Sequence, residues 1–271
     1  METSDNDFTM RVSMLSSSSK GNSTYIETPK RKILVDAGFS GKQMQQKLAK
    51  IGRDIRDVDS IFVTHEHSDH IKGLGVLARK YDVNLYANED TWQAIGQKCG
   101  VINPLQKNVI ERGERLTLGD IDIQSFGVSH DAADPQFYAF QKDGRQFTIL
   151  TDTGYVSDKL RGLLRNSDVF LIESNHDLDM LRMGRYPWSL KQRILGDKGH
   201  LSNDSSALAM SEMIGDRTKR VYLGHLSEEN NLKSLAYQTN ATLLSEQGLG
   251  VNETFELKNT DPHEPTDLFE L

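Results

Sequence analysis

The sequence predicts a layered α/β sandwich rather than a bundle or a barrel. Short apolar runs of strand length fill both halves of the chain, and each half finishes in segments of helical periodicity. Several of the apolar runs also stop abruptly at a histidine or an aspartate, which gathers polar groups at strand ends.

Taken in order, residues 1–10 read as a polar, flexible N-terminus. MRVSML, STYIET and RKILVD read as strands, separated by the turn segments SSSSKGN and PK. SGKQMQQKLAKIG reads as a helix that carries Met44, Leu48 and Ile51 on one face and stops at Gly52. SIFVT is a buried strand, and HIKGLGVLARKY is the helix after it. NLYAN, a helix through TWQAIGQKCG, and extended pieces at KNVIE, IDIQSF, FYAFQ and QFTILT follow. The last third is helical at YVSDKLRGLL, LDMLRM, SLKQRIL, SSALAMSEMI and LKSLAYQT, with the strands VFLIES and RVYLGH between. No domain-sized linker interrupts this order. The expectation is one domain over residues 11–255, then an acidic, proline-containing, mobile tail over 256–271.

Composition narrows the class. With 37% hydrophobic and 26% charged residues, the chain is an ordinary globular protein. METSDNDFTM lacks the basic and apolar regions of a signal peptide, and no apolar stretch approaches a membrane span. Cys99 is the single cysteine, so an intrachain disulfide and a Cys-rich zinc knuckle are both excluded. The expected setting is reduced and cytoplasmic. A net charge of −7 argues against nucleic-acid binding through a global field, but not against a nuclease with a local patch and bound cations.

The sharpest motif is THEHSDH, directly after SIFVT. His65 and His67 in an extended loop point to the same side. Asp69 and His70, from the first turn of the next helix, face back toward the strand end. Three imidazoles and a carboxylate suit zinc, manganese or iron. His130, Asp152 and His225 each sit at the end of a further apolar run, and together these positions predict a two-metal site.

THEHSDH with the later VSHDA, TDTG and GHLS resembles the metallo-β-lactamase superfamily, over about residues 11–251. The resemblance implies a four-layer αββα sandwich. It implies that His65, His67 and His130 hold one divalent ion, Zn²⁺ or Mn²⁺, that Asp69, His70 and His225 hold the other, and that Asp152 bridges them. An aspartate where some β-lactamases carry cysteine points to the phosphodiesterase branch. By similarity to ribonuclease Z, the two GHLS segments have separate tasks: His225 is a ligand and His200 the general acid, with Glu173 or His176 orienting it. Asp69 would also orient the nucleophile.

SSSSKGNSTYIE, LVDAGFS, THEHSDHIKGL, TDTGYV, IESNHD and YPWSLKQRILGDKGHLSN are similar to the WalJ (YycJ) group of bacterial nucleases. That implies a 5′-to-3′ DNA exonuclease with a role in mismatch repair. SSSSKGN departs from the group's glycine-richer turn, and Lys20 there either crowds the turn or contacts phosphate. Independently, LRMGRYPWSLKQR interleaves Arg182, Arg185, Lys191 and Arg193 with Tyr186 and Trp188, a composition suited to single strands. The alternative for this strip is a helix packed by Trp188 with its cations in water. Asp267-Leu268-Phe269 resembles peptides that dock on sliding clamps. Two other functions stay open: a small-molecule ester, thioester or cyclic-phosphate hydrolase, and a non-catalytic metal-containing regulator.

Overall fold

The computed structural model describes residues 8–271. Its first half supplies strands β1 (Arg11–Ser16), β2 (Ser23–Glu27), β3 (Lys32–Val35), β4 (Ser60–Phe62), β5 (Asn84–Ala87) and β6 (Lys107–Val109). Its second half supplies β7 (Arg115–Leu118), β8 (Ile121–Gly127), β9 (Gln136–Lys142), β10 (Arg145–Leu150), β11 (Val169–Glu173), β12 (Arg220–Gly224) and β13 (Glu256–Asn259). The last strand, β14 (Phe269–Glu270), returns to the first sheet beside β1. Two seven-stranded sheets result, ordered β14-β1-β2-β3-β4-β5-β6 and β13-β12-β11-β10-β9-β8-β7. Each has an antiparallel part and a parallel part, the latter from β3 to β6 and from β10 to β13.

Strand periodicity assigns the layers. In the first sheet Val12, Ile33, Val35, Phe62 and Tyr86 point into the core between the sheets. Their neighbours Leu34, Ile61, Val63 and Leu85 point the other way, onto helices α1 (Gly41–Lys50), α3 (Leu74–Lys80) and α4 (Glu89–Ile95). The short α2 (Ser68–Ile71) precedes α3. The second sheet is covered by α5 (Asp158–Leu164), α8 (Asn203–Met213) and α9 (Lys233–Glu246), through Leu160, Leu164, Met210, Met213 and Leu244. Helices α6 (Leu178–Met183) and α7 (Trp188–Leu195) lie between β11 and α8 in the chain. Helix, sheet, sheet, helix is the layering expected. Among the described residues no helix is long and apolar enough to cross a membrane.

Three expectations need correction. The helix predicted over HIKGLGVLARKY is two helices, because Gly73 donates to Ala37 O and any Cβ there would overlap the Phe39 carbonyl. Residues 1–7 of the expected flexible terminus lie outside the described residues, but Met10 is fully buried and accepts a hydrogen bond from Leu271 N.

The third correction concerns the tail, which is built into the fold. Val12 pairs with Phe269, Ser13 Oγ donates to Thr266 O, and Met14 N donates to Thr266 Oγ1. Lys47 Nζ, buried beneath it, donates to the carbonyls of Pro262 and His263 at 3.1 and 3.2 Å. Leu268 packs on the outer core of the first sheet, and Phe269 on the core between the sheets beneath the Arg220 guanidinium. Leu268 and Phe269, the apolar side chains expected to reach a sliding clamp, are therefore engaged within the chain itself, while Asp267 is exposed. Deleting residues 261–271 should cost at least about 3 kcal/mol, from lost packing and unpaired groups. A melting temperature lowered by roughly 6–10 °C is the expected reading for a chain of this size; an unchanged melt would show that the tail only rests on the sheets.

Candidate metal centre

The candidate ligands leave the C-terminal ends of strands in both sheets, where parallel strands open toward a ligand. β4 runs through Thr64 into His65 and His67, and α2 then brings Asp69 and His70 back toward it. β8 leads to His130, β10 to Asp152, β11 ends in Glu173, and β12 leads to His225. Asp152 and His225 leave their strands with φ of 50° and 52°, in the left-handed region. That conformation is costly for residues other than glycine and turns each side chain sharply inward.

All seven expected ligands converge. Donor atoms of His65, His67 and His130 lie within 4.8 Å of one another, as do those of Asp69, His70 and His225. Asp152 stands between the groups: its Oδ2 is 3.5 Å from His70 Nε2 and its Oδ1 is 3.3 Å from His225 Nε2. His65 Nε2, His225 Nε2 and Asp152 Oδ2 are buried without a hydrogen-bond partner. Orphaned buried donors and acceptors are expensive, and these three belong to a cluster of imidazoles and carboxylates. The donor set therefore fits divalent cations.

Outer partners fix the rings. Asp36, the last residue of the LVD run, holds His70 Nδ1 at 2.7 Å through Oδ2 and accepts from Thr64 N. Thr64 Oγ1 lies 3.0 Å from His65 Nδ1, and the Gly199 carbonyl 3.2 Å from His130 Nδ1. Asn22 reaches Asp69 Oδ2 at 3.2 Å, and Ser17 Oγ accepts from His225 N at 2.8 Å. Such partners set the tautomer that presents the other nitrogen to a metal. Glu173 is fully buried and serves two histidines at once: Oε1 is 2.7 Å from His200 Nδ1 and 3.0 Å from His225 Nδ1, while Oε2 accepts from Thr153 N and Leu201 N. His176 Nδ1 turns instead to Asn175 Oδ1.

Burial alone would lower the His225 pKa, but Asp152, Asp69 and Glu173 overcome it and push it up to about 10. His70 is likewise held well above its ordinary value: burial opposes this, and Asp36, Asp69 and Asp152 outweigh it. His65 goes the other way, lowered by burial and by the surrounding histidines. A metal takes the neutral imidazole, so a cation bound through His70 and His225 would displace their protons. Affinity should fall as pH falls, because the protonated forms then compete more strongly. Calorimetric titration of Mn²⁺ in buffers of different ionisation heat reads the released protons; none released at neutral pH would contradict this charge arrangement.

The model of the family described as "Beta-lactamase superfamily domain" matches residues 31–226. The chain belongs to the beta-lactamase superfamily. Within that superfamily it groups as expected, being 55% identical over 263 residues to exodeoxyribonuclease WalJ of Streptococcus pneumoniae serotype 2, with 96% of this chain and 98% of the relative covered. It is 52% identical to exodeoxyribonuclease YycJ of Bacillus anthracis, again covering 96% and 98%. A superfamily fold of the same kind is seen in YhfI from Bacillus subtilis, with a TM-score of 0.71 at 15% identity, covering 95% of this chain and 99% of that one.

The basic–aromatic strip on this superfamily frame is only partly as expected. Trp188 is 64% exposed and packs no helix onto the sheet; Arg182 and Arg185 are exposed beside it and Tyr186 is half-buried. Lys191 is turned inward. Its ammonium donates to the carbonyls of Arg182 and Gly184 at 2.7 Å each and caps α6, so it faces no substrate. Arg193 pairs with Asp131, next to His130. Lys20 pairs with Glu228 across the two turns that flank His225, rather than crowding its own turn. Asp36, Asn22 and Ser17 were missed as site residues. Only Asp36 carried a sequence signal, a carboxylate at the end of a buried run like Asp152.

Proposed function

We propose that the chain is a metal-dependent DNA exonuclease that shortens a strand from its 5′ end, on two divalent ions, as DNA repair requires. The observation that carries this reading is Asp152 set between His70 and His225, with the His200–Glu173 pair at the edge of the same cluster. The 55% identity to a relative named an exodeoxyribonuclease supports the substrate. His65, His67 and His130 would hold one ion, Asp69, His70 and His225 the other, and Asp152 both. Bound there, the cations supply Lewis acidity that activates a water and neutralises phosphate charge.

The chain's own residues do the rest. Asp69, held by Asn22, orients the nucleophile from the water side. Glu173 commits His200 Nδ1 and leaves Nε2 to give its proton to the departing sugar oxygen. Arg182, Arg185, Tyr186 and Trp188 contact the strand, and Arg193 shares itself with Asp131.

The test uses metal-reloaded protein on 3′-labelled duplex DNA, with matched RNA and methyl p-nitrophenyl phosphate alongside. Progressive loss from the 5′ end is expected. DNA left intact while the small diester is cleaved would transfer the site to the small-molecule hydrolase reading.

A further inference from the structure

A cavity of about 690 Å³ opens between β8 and α5, and no role above uses it. Its wall includes Ser129 and Tyr155, which are chain neighbours of His130 and of the Asp152 turn. Gly154 N donates to Ser129 O at 2.9 Å, and Ser129 N to Thr153 Oγ1 at 3.3 Å, so these two ligand-bearing segments form one continuous rim. Gly154 also packs against the carbonyl of Asp197, in the turn that leads to His200. Gly154, between Asp152 and the Tyr155 wall, therefore faces the turn that leads to His200.

Its chemistry is divided. Tyr155 and Leu163 are each about half exposed (50% and 49%) and offer apolar faces. The same wall carries two cations, Arg112 and Lys159. Arg112 is set in place: its stem crosses β8 at Gly127, where a Cβ would overlap it, and its guanidinium meets Asp134 at 3.1 Å. Lys159 is exposed and makes no ion pair among the described residues. An aromatic face, a wall of mixed serine and aliphatic groups and two cations in a volume of this size suit a nucleotide, which carries a flat ring and an anion at its two ends.

We infer that this cavity receives the terminal nucleotide of the strand being shortened, its base on Tyr155 and its phosphate against Arg112 and Lys159. The inference rests on the nuclease reading for its context. The placement puts the terminal sugar between cavity and metal centre, with its departing oxygen toward His200. It also makes Tyr155 a positioning residue for the outermost unit of the strand, distinct from the Trp188 face.

The test titrates thymidine 5′-monophosphate into metal-loaded protein and runs DNA and methyl p-nitrophenyl phosphate kinetics in parallel. Tyr155→Ala should weaken nucleotide binding about tenfold and raise KM for DNA similarly, the usual effect of losing one base–aromatic stack. Turnover of the small diester should stay within about twofold, and Tyr155→Phe should restore both nucleotide binding and the KM for DNA. Arg112→Gln with Lys159→Gln should flatten the salt dependence of DNA binding by about one to two units of slope. Nucleotide binding unchanged in both variants overturns the assignment. So does a parallel fall in small-diester turnover that Tyr155→Phe fails to restore, because that marks a structural role. If the wild type leaves DNA intact yet binds the nucleotide through Tyr155, the cavity stands and the nuclease reading falls.

Discussion

Asp152→Asn is expected to leave a folded chain that shortens DNA more than about 100-fold more slowly, beyond the loss typical of an outer partner of a metal ligand. Asparagine is the right replacement because residue 152 sits at φ 50°, and asparagine tolerates that region where alanine does not. The shape survives. The charge and one acceptor oxygen do not, so one side chain no longer joins the two halves of the cluster. The same carboxylate helps keep His70 and His225 protonated against burial, and its loss relaxes both. Two measurements separate the effects. Cation-induced stabilisation should shrink from its wild-type value, since binding to the native state alone sets it, while the melting temperature of the metal-free variant should stay close to wild type. Wild-type rates in Asp152→Asn would remove the bridging role and, with it, the two-ion arrangement.

His200→Ala should slow DNA hydrolysis by roughly 10²- to 10⁴-fold, the range of a lost general acid. The leaving group decides whether the acid matters. A sugar alkoxide needs a proton, whereas nitrophenolate departs without one, so methyl p-nitrophenyl phosphate should be cleaved at nearly the wild-type rate. Equal losses on both substrates would make His200 a structural support of the centre. Glu173→Gln provides the contrast. Its carboxylate holds His200 at 2.7 Å and the metal-side histidine His225 at 3.0 Å, so both substrates should suffer. The carboxylate is also buried and accepts two backbone amides, and that variant should be less stable as well.

How much of this could be read in the sequence depended on distance along the chain. THEHSDH was legible because four donors share one loop, and local geometry already converges them. His130, Asp152 and His225 were legible as polar residues that stop buried runs. Glu173 and His176 were equal candidates in the sequence; one sits at the end of a strand facing His200, while the other turns to Asn175. Asn22 and Ser17 were invisible, because they become partners of Asp69 and His225 only when the first turn folds over the site. Lys191 misled for the opposite reason: a cation in a basic segment says nothing about which way its stem runs. Arg115–Leu118 was overlooked as a strand because it is short, half polar and at the edge of its sheet.

The pairing of β14 with β1 bears on how the chain is made. Arg11 meets Glu270 at a separation of 259 residues, so one flank of β1 has its partner only after that many further residues have been made. At about 5–20 residues per second, the interval is on the order of tens of seconds. Through that time β1 offers its backbone donors and acceptors, and the alternating Val12 and Met14, to any extended segment nearby. A neighbouring nascent copy presents the same edge. The β14 strand is thus also what ends the exposure of β1 to mispairing.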